Sequence, residues 1–154
     1  MTPWRVRRLF PQTTLNAIEH AIREGERTHA GEICFAVEGA LQGTALYCDQ
    51  SPRERAIEVF SEQRMWDTEH RSGVLIYVLL ADRAVEIVAD RGAHAQISEQ
   101  EWQSICHDME VAFGRGEYHA GALHGVQAAT ALLVRHFPTS TPGPRELSDM
   151  PLLL

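Results

Sequence analysis

Seven apolar residues stand in unbroken succession from Val74 to Leu80, and five more from Ile33 to Val37. A strand with one wet face alternates apolar and polar residues, whereas a continuous short run is buried on both faces. Strands of this kind belong inside a sheet that helices cover on each side. The remaining sequence has to supply those helices.

Leu15, Ile18 and Ile22 fall at helical spacing, with Thr13 or Thr14 as candidate N-cap and Gly31 as a stop. Ser51-Pro52-Arg53-Glu54 is a helix start: the serine hydroxyl caps an orphan amide and proline occupies the first turn. Ala56, Ile57, Val59 and Phe60 give that helix its buried side, and it is expected to end near Met65. Ala81-Asp82-Arg83 reads as a tight turn from Val74–Leu80 into a strand over Ala84 to Asp90, an antiparallel hairpin. Ser98-Glu99-Gln100-Glu101 is a capping box, followed by the stripe Trp102, Ile105, Met109 and Phe113. Gly114-Arg115-Gly116 separates this helix from a last one over Glu117 to His136, where Gly121, Ala122, Gly125, Ala128 and Ala129 permit close packing.

The order is helix, strand, helix, strand, strand, helix, helix. A helix between the first two strands makes them parallel. The expected fold is α/β, a three-layer α/β/α sandwich around a small mixed sheet. Residues 1–11 read as a basic-aromatic arm with Trp4, Arg5, Arg7 and Arg8, residues 12–138 as the folded domain, and residues 139–154 as a proline-rich tail. The arm is expected to be solvated or to dock on a membrane surface or partner. Leu152-Leu153-Leu154 is expected to dock on the domain or on a partner.

Composition narrows the partners. The chain carries a formal charge of -7, with 14 basic residues that are all arginine. An acidic surface argues against nucleic acid and anionic membrane as main partners and in favour of cations. No apolar run reaches the ~20 residues of a membrane span, and no signal-peptide pattern opens the chain. Three cysteines without metal spacing fit a reducing cytoplasm.

Topology sorts the carboxylates into two groups. Glu32, the loop Asp67-Thr68-Glu69-His70 and Asp90-Arg91-Gly92 are expected at the end of the sheet where the first two strands begin and the third finishes. Glu38 and the turn Asp82-Arg83 are expected at the opposite end. Carboxylates beside freed backbone carbonyls suit hard cations such as calcium or magnesium. The first group has more ligands and two loops, so Asp67, Asp90, Glu69 and Glu32 are the candidate metal ligands. The plainer alternatives are a turn cap at Asp67 and an ion pair of Asp90 with Arg91 or Arg71.

The same residues resemble the TPM domain family, named for thylakoid-lumen and photosystem-repair proteins and an acetylcholine-receptor modulator. The resemblance rests on Gly31-Glu32-Ile33, Arg55-Ala56, Phe60, Thr68, Gly73-Val74-Leu75-Ile76-Tyr77 and Val88-Ala89-Asp90-Arg91-Gly92. Trp102 and the stretch from Phe113 to Gly121 continue it, so it runs from about Leu15 to Pro138. The chain looks like a stand-alone bacterial form, without secretion signal or membrane anchor. The resemblance implies the three-layer sandwich, divalent-cation binding by loop carboxylates, and an acid-phosphatase activity attributed to some members. Asp67 and Asp90 take the family's acidic loop positions and Glu32 its strand-opening glutamate. Arg71-Ser72 departs from the asparagines usual before the glycine, and Cys34 stands where a basic or polar residue is common.

Enzymatic readings find little support. A thiolate phosphate loop needs cysteine and arginine at one fixed separation, and Arg53 and Arg55 lie one position short and one long of it after Cys48. The eight histidines include no helical zinc pair, although His70 shares a loop with Asp67 and Glu69. Cys34, Cys106, Trp66 and Trp102 read as core residues. The favoured expectation is a non-catalytic cation-binding module whose acidic loops are ordered by calcium or magnesium and read by a protein partner, itself membrane-associated in one version. The alternative is a metal-assisted phosphomonoester hydrolase in which Asp67 and Asp90 hold the ion and Arg71 or Arg91 grips phosphate.

Overall fold

The two apolar runs form the centre of the sheet, β1 (Glu32–Glu38) and β2 (Gly73–Leu79), paired in parallel from Glu32↔Gly73 to Glu38↔Leu79. β3 (Ala84–Ala89) returns antiparallel to β2. β4 (Leu152–Leu153) lies parallel to β1, opposite Ala36 and Val37, giving the order β3-β2-β1-β4. The computed structural model describes residues 1–43, 48–68, 72–139 and 148–154.

Helices cover both faces. On one side lie α1 (Pro3–Leu9), α2 (Gln12–Gly25), α5 (Glu99–Gly114) and α6 (Tyr118–His136). They bury Phe10, Ile18, Ile22, Trp102, Met109 and Val126 against Ile33, Phe35, Val37, Ile76 and Val78. On the other side α3 (Pro52–Glu62) packs Ala56, Val59 and Phe60 on Cys34, Ala36, Leu75, Tyr77 and Leu79. Alternate residues of each strand thus feed different cores, which is why the runs are continuous. The architecture is the mixed α/β sandwich that the apolar runs require.

The helix starts follow the capping logic. Ser51 accepts from the Glu54 amide at 3.1 Å, and Ser98 and Glu101 complete a reciprocal capping box. The start of α2 differs: Pro11 precedes Gln12, and Thr14 lies inside the helix, where its hydroxyl meets His119 Nδ1 at 2.8 Å. α2 also stops at Gly25, six residues before Gly31, because Gly25 packs against Thr130 and the chain turns away. α3 closes at Glu62, and Arg64 takes a left-handed φ of 54° on the way to Met65.

Three further differences have physical causes. The terminal arm folds as α1, capped by the Thr2 hydroxyl, because Val6 and Phe10 reach the core. β3 ends at Ala89, and Asp90 starts a six-residue helix, α4 (Arg91–Gln96). Trp66 is 46% exposed under the Arg64 guanidinium rather than in the core. The C-terminal leucines, in contrast, dock on the domain as the sequence suggests: they lie on the edge of β1, where the Leu154 amide donates to the Val37 carbonyl at 2.8 Å.

The outer edge of β3 is closed by side chains. The Val85 amide donates to Glu110 of α5 at 3.2 Å, and Arg53 of α3 donates to the Ile87 carbonyl.

Candidate functional site

β1 and β2 begin at the same end of the sheet where β3 finishes. Register sets Glu32 beside Gly73, and the Val74–Ala89 pair brings Asp90 to the other side of Gly73. Backbone bonds fix this arrangement: the Glu32 amide donates to Ser72 at 3.3 Å and the Asp90 amide to Gly73 at 2.8 Å. Two positions further into each strand, Cys34, Leu75 and Val88 all belong to the core beneath α3. Alternation therefore puts Glu32, Gly73 and Asp90 in one row on the α3 face. Their outer members are two strand spacings apart, roughly 10 Å.

Gly73 leaves a gap in that row, and backbone fills it. A β-carbon there would collide with the Met65 carbonyl oxygen, so no other residue fits without moving the 63–68 segment. The Met65 carbonyl thus lies over the row, between two carboxylates.

Both carboxylates are buried, Glu32 at 8% and Asp90 at 7% exposure. Asp90 caps α4, its Oδ1 accepting from the Arg91 amide at 2.8 Å. Its Oδ2 is buried with no hydrogen-bond partner among the described residues. A buried carboxylate oxygen in that condition lacks the compensation such groups normally have. Asp90 pairs with the backbone of Arg91, not with its guanidinium.

Asp67 is placed differently. It is exposed, its carboxylate bonded to Arg64 at 3.0 Å and its amide to the Arg64 carbonyl. Among the described residues, no three of histidine, cysteine, aspartate and glutamate gather as a ligand set, so Asp67 does not join Glu32 and Asp90. Glu69, His70 and Arg71 lie outside the described residues. Their flanks are tied together, the Ser72 amide donating to the Thr68 hydroxyl at 3.2 Å.

His29 belongs to the same end, and sequence reasoning missed it. It is 2% exposed and bridged to Pro138, with Nδ1 accepting from the Gly31 amide at 3.0 Å. Burial pushes its pKa down to about 4, against the opposing pull of the Gly31 bond, so it is neutral at pH 7. No local sequence signal separates this histidine from the exposed ones.

At the far end of the strands Glu38 is fully engaged. Arg55 donates to Oε1 at 2.8 Å and to Oε2 at 3.2 Å, and the Tyr77 hydroxyl donates to Oε1 at 2.6 Å. Arg55 also reaches Glu58 and Glu62. Burial and then the Glu38 bond raise the Tyr77 pKa, and the Glu38 bond raises that of Arg55. Arg55 and Tyr77 therefore clasp α3 to the sheet. Two of the three thiols are no better placed for chemistry: burial pushes Cys34 and Cys106 up to about 12, leaving them protonated at neutral pH, while Cys48 is exposed.

The comparisons with known proteins agree with this architecture. The BA42 protein of the psychrophilic bacterium Bizionia argentinensis, solved by NMR, matches with a TM-score of 0.79 and 27% identity over 92% of each chain. The N-terminal domain of a protein from P.gingivalis, also solved by NMR, matches with a TM-score of 0.68 and 18% identity. That second likeness covers 84% of this chain and 81% of the other, and speaks to fold alone. No curated protein matches the sequence. The sequence matches the TPM domain over residues 7–132, and the chain belongs to the TPM domain family.

Proposed function

We propose that this chain is a non-catalytic interaction module that binds a divalent cation at the Glu32–Asp90 end of the sheet. The observation that carries the reading is the buried Asp90 Oδ2, without a donor among the described residues, in a row with Glu32 and the Met65 carbonyl. Two carboxylates and a backbone carbonyl are hard oxygen donors. Calcium accepts such mixed sets with flexible geometry, whereas magnesium keeps more of its water. Asp67 would complete the shell by exchanging its surface bond to Arg64; Glu69, the other ligand expected from the sequence, lies outside the described residues. A protein partner would read the surface that carries the bound ion.

A phosphatase is the less supported reading. Burial keeps the Cys34 and Cys106 thiols protonated at neutral pH, so neither offers a thiolate nucleophile.

Calcium and magnesium titrations followed by backbone-amide NMR test the proposal, together with a phosphomonoester assay at saturating ion. Saturable shifts at Glu32, Gly73 and Asp90 to Gly92, lost in Asp90→Asn and without turnover, support it. Absence of shifts at this end overturns it. Metal-dependent turnover abolished by Asp67→Ala replaces the module with a hydrolase.

A further inference from the structure

The charge of this chain is segregated. Residues 1–18 contain three arginines and no carboxylate, while the rest holds eleven arginines and 21 carboxylates. All three basic residues, Arg5, Arg7 and Arg8, are exposed on α1 and form no ion pair among the described residues. Elsewhere Arg23, Arg53, Arg55, Arg64 and Arg135 each have a carboxylate within 4 Å. Trp4 is 69% exposed on the same helix, with the Arg8 guanidinium over its ring.

Helix geometry explains the display. Val6 points into the core and packs on the backbone at Gly39, which has no side chain to hold the helix off. Trp4 and Arg8, two positions before and after Val6, then fall on the opposite face. Arg7 lines a cleft together with Leu153 of β4 and Leu154, both partly exposed. The surface therefore joins an indole, three unpaired guanidinium groups and two leucines.

We propose that this face docks on an anionic lipid bilayer. Unpaired guanidinium groups complement lipid phosphates, which they bind through two parallel N–H donors. Indole prefers the bilayer interface, with an apolar body and a polar N–H. Trp4, the most exposed of the large apolar side chains on this surface, is free to insert between headgroups. The overall charge of -7 is no obstacle to this orientation, because carboxylates more than about a Debye length of ~10 Å from the lipid are screened. It instead makes α1 the side that approaches.

The test is co-sedimentation of the full chain with vesicles of phosphatidylcholine alone and with about 30% phosphatidylglycerol, in EDTA so that cation bridging plays no part. Each basic side chain near an anionic surface is worth roughly a fivefold gain in partitioning, so anionic vesicles should be favoured by roughly 100-fold. The triple variant R5Q/R7Q/R8Q should lose that preference, and Trp4→Ala should weaken binding several-fold. These side chains are exposed, and an unchanged thermal midpoint checks that each variant folds. High salt should release the wild type. No pelleting with anionic vesicles, equal binding to both compositions, or a triple variant that binds like wild type overturns the proposal.

Discussion

The two ends of the central strands make opposite use of the same residue type. Glu38 closes β1 with both oxygens engaged by Arg55 and Tyr77. At the other end Asp90 keeps one buried oxygen with no donor among the described residues, in a row with Glu32 and near the Met65 carbonyl. One end spends its carboxylate on holding α3; the other buries Asp90 Oδ2 without a donor among the described residues. A closed end is expected to be sensitive to loss of its cation partner, and an open end to respond to ions and protons.

The largest effect is expected at the closed end. Arg55→Met leaves Glu38 largely buried without its cation and should cost about 3–5 kcal/mol by urea denaturation. Removing both charges together with E38L/R55M should recover much of that loss, because the pair's net value is small. If Arg55→Met costs less than about 1 kcal/mol, the clasp is not what secures α3.

Next comes the pH response of His29 at the open end. Folded, its pKa is about 4; unfolded it returns to 6.5, so between these values the unfolded chain binds more protons. Its contribution to stability is complete above pH 6.5 and is lost as pH falls towards 4, about 3 kcal/mol in all. Asparagine offers an amide oxygen near the position of Nδ1, so His29→Asn should flatten this part of a stability–pH curve. An unchanged slope would assign the acid sensitivity to carboxylates instead.

Gly73→Ala should destabilise by about 1–3 kcal/mol, since the methyl meets the Met65 carbonyl rather than a yielding side chain. Amide shifts should spread through residues 63–68, and calcium-induced shifts should weaken with them. The smallest effects separate two aspartates. Asp90→Asn keeps an oxygen for the cap and removes a buried charge, so in EDTA it should change stability by less than about 1 kcal/mol. Calcium at about 100 times its dissociation constant should stabilise wild type by about 2.7 kcal/mol and Asp90→Asn not at all. Asp67→Ala, at an exposed ion pair, should cost about 0.5 kcal/mol or less without calcium.

Much of the sheet was legible because burial on two faces leaves an unmistakable trace: Ile33–Val37 and Val74–Leu80 can only be covered strands. The helix starts at Ser51 and Ser98 were legible for a local reason, a hydroxyl three residues from its amide partner. What escaped the sequence is tertiary. α4 is too short to show periodicity, so Asp90 looked like a loop end rather than its cap. Trp66 has core composition, but the left-handed turn at Arg64 swings it outward. Topology alone grouped Glu32 with Asp90, yet the Met65 carbonyl above Gly73 depends on how α3 ends. The Arg55 clasp depends on the distance between a helix and a strand 17 residues apart in sequence. Neither leaves a pattern in the chain.

The guarded edge of β3 bears on how this domain meets other chains. A bare edge strand invites another strand to add to the sheet, the route to both peptide capture and aggregation. Here Glu110 holds the Val85 amide and Arg53 the Ile87 carbonyl, each drawn from a different flanking helix. An incoming strand would first have to displace two charged side chains. Recognition along that side is thereby steered away from strand addition and toward the loops and helix surfaces.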